Sequence, residues 1–124
     1  MSGLTFLYIS SALPLIWGVA HLFPTKQVVN GFGNITDDNK KIITMEWIIE
    51  GVSLIFIGIL LLCISIIDHT NVISRAIYWL SFGMLNTLSI ISFYTGFKVK
   101  FFAFKLCPFI FTGSSIFIFL GIYI

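Results

Sequence analysis

The chain alternates between long apolar runs and short polar segments. The apolar runs cover approximately residues 4–23, 42–67, 72–95 and 101–124. Each run has the ~20 residues that a helix needs to cross a hydrocarbon core about 30 Å thick. Strands of a membrane β-barrel would be about ten residues long, with polar and apolar side chains alternating, and the segment LIFIGILLLCISII does not alternate. The pattern therefore predicts four transmembrane helices.

The connections between the predicted helices are short, which favours antiparallel neighbours. The expected fold is therefore all-α, a transmembrane four-helix bundle with up-down antiparallel topology that forms a single domain over residues 1–124. The longest connection, residues 24–41, contains Gly31 and Gly33 and is expected to rest on the bilayer surface. Thr36 is the predicted N-cap of the second helix, because its hydroxyl can accept a hydrogen bond from a free backbone amide there.

The composition supports a membrane location. Apolar residues make up 58% of the chain and charged residues 10%, whereas soluble domains average about 45–50% and about 25%. A soluble domain of this size leaves about a third of its chain surface in water, and seven Lys/Arg with five Asp/Glu cannot cover that area. The composition excludes an ordinary soluble enzyme, a disordered chain and a nucleic-acid-binding protein.

The distribution of basic residues predicts the orientation in the membrane. Six lysines lie in or beside the first and third connections: Lys26, Lys40, Lys41, Lys98, Lys100 and Lys105. Only Arg75 lies on the other side. Because cytoplasmic loops carry the excess of Lys and Arg, we expect residues 24–41 and 96–105 in the cytoplasm and both termini outside. A glycan on Asn34, in the sequon Asn34-Ile35-Thr36, would contradict this orientation.

Residue usage indicates the source only in general terms. The chain contains 22 isoleucines and six lysines to one arginine. This bias is typical of an AT-rich genome. We therefore expect the protein to lie in a bacterial cytoplasmic membrane.

Polar groups within the predicted spans indicate where function should be sought, because lipid tolerates them poorly. Glu46, Glu50 and Ser53 are spaced i, i+4, i+7 and so share one helix face. With His21 and Asn86 they are expected to form one polar layer in the cytoplasmic half of the bundle, walled by nearby tryptophans. The predicted ligand-binding residues are His21, Glu46, Glu50, Asn86, Trp17, Trp47, Ser53 and Ser89.

Two interpretations of this layer stay open. In one, its polar groups only form hydrogen bonds between helices and fix their packing. In the other, they line a pocket in which Glu50 and His21 contact a ligand or exchange a proton. No metal site is predicted, because His21 is a single imidazole without CxxH or HxxxH spacing, and the two cysteines show no CxxC spacing.

Two segments resemble a known family. The first helix closes with GVAHL at residues 18–22, and the second contains EWIIEGVSL at residues 46–54. These segments place a glycine before a polar residue at the end of helix one and an acid-glycine pair in helix two. This pattern resembles that of small DoxX-like four-helix membrane proteins. The resemblance implies a redox-linked or quinone-associated accessory role, with the helix-two acid at a family-type position. A looser resemblance is to the sterol-isomerase-like four-helix fold.

Three functional hypotheses follow. The leading one is a protein that binds a small hydrophobic molecule, a quinone or a lipid, with Glu50 and His21 on its polar head and Trp17 and Trp47 against its body. The first alternative is a membrane enzyme in which Glu50 is the acid/base catalyst and His21 its partner. The second is a structural subunit of a larger membrane complex. No resident cofactor is predicted, and the expected partners are the bilayer, such a molecule, and a second copy or other membrane subunit.

Overall fold

The computed structural model describes all 124 residues, and they form five helices without strands. The helices are α1 (Gly3–Leu22), α2 (Thr25–Asn30), α3 (Asp37–Asp68), α4 (Val72–Gly96) and α5 (Phe102–Tyr123). All but α2 are long and apolar enough to cross a membrane. The predicted all-α bundle with four membrane spans is confirmed, and the protein is a multi-pass integral membrane protein.

Helix α3 begins well before its apolar run, as predicted. The Thr36 hydroxyl accepts a hydrogen bond from the Asn39 amide at 3.2 Å, which confirms Thr36 as the N-cap. Asp37 and Asp38 follow in the first turn, where the positive end of the helix dipole favours carboxylates. Lys40 and Lys41 therefore lie on a helix and not in a loop, because the cap sets the helix start ahead of the span.

A short turn joins α3 to α4. The Asp68 carboxylate accepts hydrogen bonds from the Thr70 amide at 2.9 Å and the Thr70 hydroxyl at 2.7 Å. The Asn71 side chain then caps α4 by accepting from the Ile73 amide at 2.8 Å. These local bonds satisfy backbone donors that a helix start leaves free, so the two helices are joined through a turn of only three residues.

Helix α2 is an element that the hydropathy pattern did not predict. It is only six residues long, too short for an apolar stripe of helical period to be visible in the sequence. The helix packs against α3 and buries Val29. The chain turns away after it at Gly33, whose φ of 74° is a conformation that favours glycine. The first connection is therefore structured and folds back onto the bundle.

The four spans form a ring that is closed on three sides. Helix α1 packs extensively against α3 and α5, and α5 packs against α4, whereas α3 and α4 touch much less. We call the less closely packed side the α3–α4 seam. The end of the bundle that contains the first and third connections is called the basic end, and the opposite end, with both chain termini, is called the terminal end.

Helices α1 and α3 approach each other to backbone contact, and this contact depends on glycine. A Cβ atom on Gly18 would lie 2.8 Å from both the Gly51 carbonyl oxygen and the Ile55 amide nitrogen. A Cβ atom on Gly58 would lie 2.7 Å from the Leu15 amide nitrogen. Small residues let transmembrane helices approach to backbone contact. Gly51 and Gly58 of α3 thus form a packing surface for α1.

Polar residues are concentrated inside the bundle and apolar residues outside it. Eight serines are buried, together with His21. Ser114 on α5 donates to the Ser10 carbonyl on α1 at 2.7 Å, and Ser65 on α3 lies 2.9 Å from the Tyr78 hydroxyl on α4. Large apolar side chains are exposed along all four spans. This distribution fits lipid as the solvent, since hydrocarbon accepts apolar side chains and excludes hydroxyls.

Replacement of Gly18 by alanine should destabilise the protein. The new methyl group would meet backbone atoms that cannot move independently, and overpacking of this kind costs about 1–3 kcal/mol. The matched control is Gly83→Ala on α4, where a Cβ would meet nothing within 4 Å. We expect Gly18→Ala to lower the thermal unfolding midpoint in detergent and Gly83→Ala to leave it unchanged or raise it. Equal midpoints for the two variants would contradict the glycine contact.

The orientation predicted from the lysines can be tested with reporter fusions. Four spans place both termini on one side, so a C-terminal alkaline phosphatase should be active in a bacterial host and a C-terminal green fluorescent protein should be dark. A fusion truncated after Asn34 should give the opposite pair of signals. A fluorescent C-terminal fusion would show that the basic end faces outward.

Candidate functional site

At the basic end, His21 on α1 and Trp47 on α3 bind each other through two reciprocal hydrogen bonds. The Trp47 indole Nε1 donates to the His21 carbonyl oxygen at 2.9 Å, and His21 Nε2 lies 3.1 Å from the Trp47 carbonyl oxygen. A carbonyl can only accept, so Nε2 carries the proton. The two rings also stack, with centroids 3.9 Å apart and planes inclined by 16°.

The local sequence explains why these two residues meet. Gly18 lies one turn before His21, and Gly51 lies one turn after Trp47, so a close contact of the two backbones lies beside the pair. The His21 carbonyl belongs to the last turn of α1, where carbonyl groups have no partner within the helix. The Trp47 indole supplies that partner. The pair therefore closes the end of α1 and joins it to α3.

Glu50 lies at the edge of this pair. Its Oε2 is 3.7 Å from His21 Nε2, which is too long for a hydrogen bond. The Glu50 side chain is 50% exposed, whereas that of His21 is 6% exposed. The carboxylate therefore remains available to a second partner, while the imidazole is held by Trp47.

A large cavity opens beside Trp47 and Glu50. It measures about 760 Å³, within the range of about 300–1,000 Å³ that is typical of sites for small molecules. Its walls come from α2, from α3 and from the connection between α4 and α5. The lining residues are Gln27, Val28, Gly31, Phe32, Ile43, Glu46, Trp47, Ile49, Glu50, Val99, Phe101 and Phe104. We call this space the apolar cavity, because eight of these twelve residues are hydrophobic.

A smaller chamber of about 240 Å³ adjoins it and shares Trp47, Phe101 and Phe104 as walls. Trp17 and His21 also line this chamber. The Trp17 indole Nε1 has no nitrogen or oxygen acceptor in the chain, and the Cys107 thiol, which also lines the chamber, is only a weak acceptor for it. An oxygen on a bound molecule would be a stronger acceptor.

The structure brings five of the eight predicted ligand-binding residues to these two spaces. Glu46, Glu50 and Trp47 line the apolar cavity, and Trp17, His21 and Trp47 line the chamber. Glu46 and Glu50, which their spacing places on one helix face, both line the apolar cavity.

The other three predicted residues lie elsewhere. Ser53 is exposed on α3 and lines neither space. The Asn86 amide donates to the Phe82 carbonyl of its own helix at 2.7 Å, and not to Glu50. Ser89 donates to the Pro108 carbonyl on α5 at 2.9 Å and lies 2.6 Å from the Thr112 hydroxyl. The reason is that α4 packs on α5 and only loosely on α3, so the expected layer does not extend across the α3–α4 seam.

Several lining residues were not predicted. Gln27 and Val28 come from α2, and Val99, Phe101 and Phe104 come from the α4–α5 connection and the start of α5. The sequence contained one signal for them, namely apolar side chains within otherwise polar connections. Such residues often lie against the body of a protein, but their position along the chain does not identify which surface they cover.

No three His, Cys, Asp or Glu side chains converge anywhere in the chain. The groups that can hold a molecule at this site are therefore the carboxyl groups of Glu46 and Glu50, the Gln27 amide, the indole N–H of Trp17 and the aromatic faces. Comparisons of the chain with protein-family models, with curated proteins and with solved structures found no significant match.

Replacing Trp47 by phenylalanine should destabilise the bundle without removing the aromatic ring. The change leaves the His21 carbonyl without its donor, which costs about 1–3 kcal/mol for a buried group. Trp79→Phe is the matched control, because the Trp79 indole makes aromatic contacts but no hydrogen bond. The thermal midpoint in detergent should fall for Trp47→Phe by clearly more than for Trp79→Phe. A larger loss at Trp79 would show that ring packing, not the reciprocal hydrogen bonds, dominates.

Proposed function

We propose that the protein binds a small hydrophobic molecule with a polar head, a quinone or a lipid, in the apolar cavity at the basic end. The observation that carries this proposal is a cavity of about 760 Å³ with mostly apolar walls and a few convergent polar groups. That combination is characteristic of small-molecule sites. The Trp17 indole N–H, which has no nitrogen or oxygen acceptor in the chain and lines the adjoining chamber, supports a molecule whose head accepts a hydrogen bond.

The proposed contacts follow from the exposure of each group. Glu46 and Glu50 are exposed toward the cavity and face the polar head. Phe101 and Phe104 pack the body of the molecule together with Trp47. His21 holds Trp47 in position, because its Nε2 proton is already donated to the Trp47 carbonyl.

Binding accounts for this geometry better than acid–base catalysis does. A proton-transferring imidazole must present a nitrogen to the reacting group at hydrogen-bond distance. His21 Nε2 is engaged with a backbone carbonyl, and the ring lies stacked on Trp47. The Glu50 carboxylate lies 3.7 Å from His21 Nε2 and makes no hydrogen bond to it. We therefore rank the enzyme hypothesis, with Glu50 and His21 as catalytic pair, below the binding hypothesis.

The DoxX-like assignment is also part of this proposal. The residues that carry the resemblance, Gly18 and His21 on α1 and Glu50 and Gly51 on α3, lie together across one helix contact. Their proximity supports a shared role for them at the site. A redox-linked accessory subunit of a bacterial cytoplasmic membrane, with the basic end in the cytoplasm, is the corresponding proposed setting.

The proposal is tested by asking whether a molecule occupies the cavity and whether filling the cavity displaces it. Native mass spectrometry of the protein purified in mild detergent should show a co-purifying small molecule. Ile49→Trp places a large ring in the cavity wall, whereas Ile59→Trp makes the same change at a similarly exposed site on the same helix, away from the cavity. The adduct should disappear with Ile49→Trp and persist with Ile59→Trp.

A decyl-substituted benzoquinone serves as a defined probe for the same variants. It should raise the thermal midpoint of the native protein and of Ile59→Trp, but not that of Ile49→Trp. Glu50→Gln keeps the size and hydrogen-bonding ability of the side chain, so a binding role predicts a nearly unchanged shift. The same adduct and the same quinone response in both tryptophan variants would refute the cavity as the binding site.

A further inference from the structure

A second groove lies on the opposite face of α2 from the apolar cavity. It has a volume of about 780 Å³ and lies between α2 and the first turns of α3. Lys26 comes from α2, and Lys40 and Lys41 come from α3. None of the residues of the apolar cavity takes part in it. We call it the lysine groove.

The residues that line the lysine groove carry a net positive charge. Its three lysines face a single acid, Asp37. None of the lysines forms an ion pair, since the one such contact in the chain joins His21 and Glu50. The ammonium groups are therefore free to bind an anion.

The same groove has an apolar half. Lys41, Met45 and Ile48 are spaced i, i+4, i+7 and therefore lie along one face of α3. The distance along the helix from Lys41 to Ile48 is about 10 Å, in the direction of the hydrocarbon core. Phe23, at the end of α1, also lines the groove and is 84% exposed. A ligand seated here thus meets positive charge at one end and an apolar surface at the other.

We propose that the lysine groove binds an anionic phospholipid. The phosphate contacts Lys26, Lys40 and Lys41, and an acyl chain follows Met45 and Ile48 toward the bilayer core. Basic pockets beside transmembrane helices recognise anionic head groups in this way. A soluble phosphate has no apolar part that could contact the apolar half of the groove. The ammonium of a zwitterionic head group would be repelled by the lysines. This site is independent of the molecule proposed for the apolar cavity.

The test compares two triple variants that remove the same charge from the same end of the protein. Lys26, Lys40 and Lys41 are changed to glutamine in one variant, and Lys98, Lys100 and Lys105 in the control. Phosphatidylglycerol is titrated into each protein in detergent micelles, with native mass spectrometry to count bound lipid and the thermal midpoint as a second readout. Phosphatidylcholine and glycerol 3-phosphate are the comparison ligands.

We expect tight binding of phosphatidylglycerol to the native protein and to the control. Binding to the groove variant should weaken by roughly fivefold per lysine removed, the effect expected for a charge near a lipid head group. Asp37→Asn removes the acid from the groove and should tighten binding. The tighter lipid binding of Asp37→Asn tests the proposal even where the triple variant folds poorly, because Asp37→Asn keeps all three lysines.

Three results would overturn the proposal. Equal loss in both triple variants would mean that general surface charge attracts the lipid. Equal binding of phosphatidylcholine would mean that only the apolar surface matters. A stabilisation by glycerol 3-phosphate as large as that by phosphatidylglycerol would mean that the groove takes a soluble phosphate.

Discussion

The close contact between α1 and α3 is the interaction on which the rest of the structure depends. Gly18 and Gly51 bring the two backbones so near that no side chain fits between them. Only at this separation can His21 and Trp47 exchange hydrogen bonds between side chain and main chain in both directions. Those bonds fix the aromatic wall that the apolar cavity and the smaller chamber share. In lipid, where water cannot satisfy the free carbonyl at the end of α1, this closure also removes an energetic penalty.

The incomplete ring of helices explains where the cavity lies. Hydrogen bonds join α3 to α4 near their connecting turn, at Ser65 and Tyr78 and at Ser74 and Asp68, whereas contacts between the two helices are few in total. At the basic end, the α4–α5 connection and the start of α5 reach across to α3 and place Phe104 5.5 Å from the Trp47 ring, measured between centroids. The apolar cavity remains between this connection and α3, because a connection of five residues covers less surface than a packed helix.

Helix α2 separates two chemically different surfaces. Gln27 and Val28 face the apolar cavity, while Lys26 and Val29 face the lysine groove. Adjacent residues can do this because successive helical positions point about 100° apart, at 3.6 residues per turn. A six-residue helix thus separates the proposed site for a small hydrophobic molecule from the proposed site for an anionic head group. Both lie at the basic end of the bundle.

The amino-acid sequence by itself determined the solvent, the fold class and the helix boundaries to within a few residues. The fold class and the boundaries depend on local properties, namely the length of the apolar runs and the Thr36 cap. Local spacing also placed Glu46 and Glu50 on one helix face. Gly51 and Gly58 are seven residues apart, which places them on one face of α3. Which helix packs there, and whether Asn86 joins Glu50, depended on contacts between distant segments. The tertiary structure decided both, because α4 packs against α5 and so leaves Asn86 bonded to its own helix. It also decided the cavity walls, since the short α2 and the α4–α5 connection have no periodicity that shows what they cover.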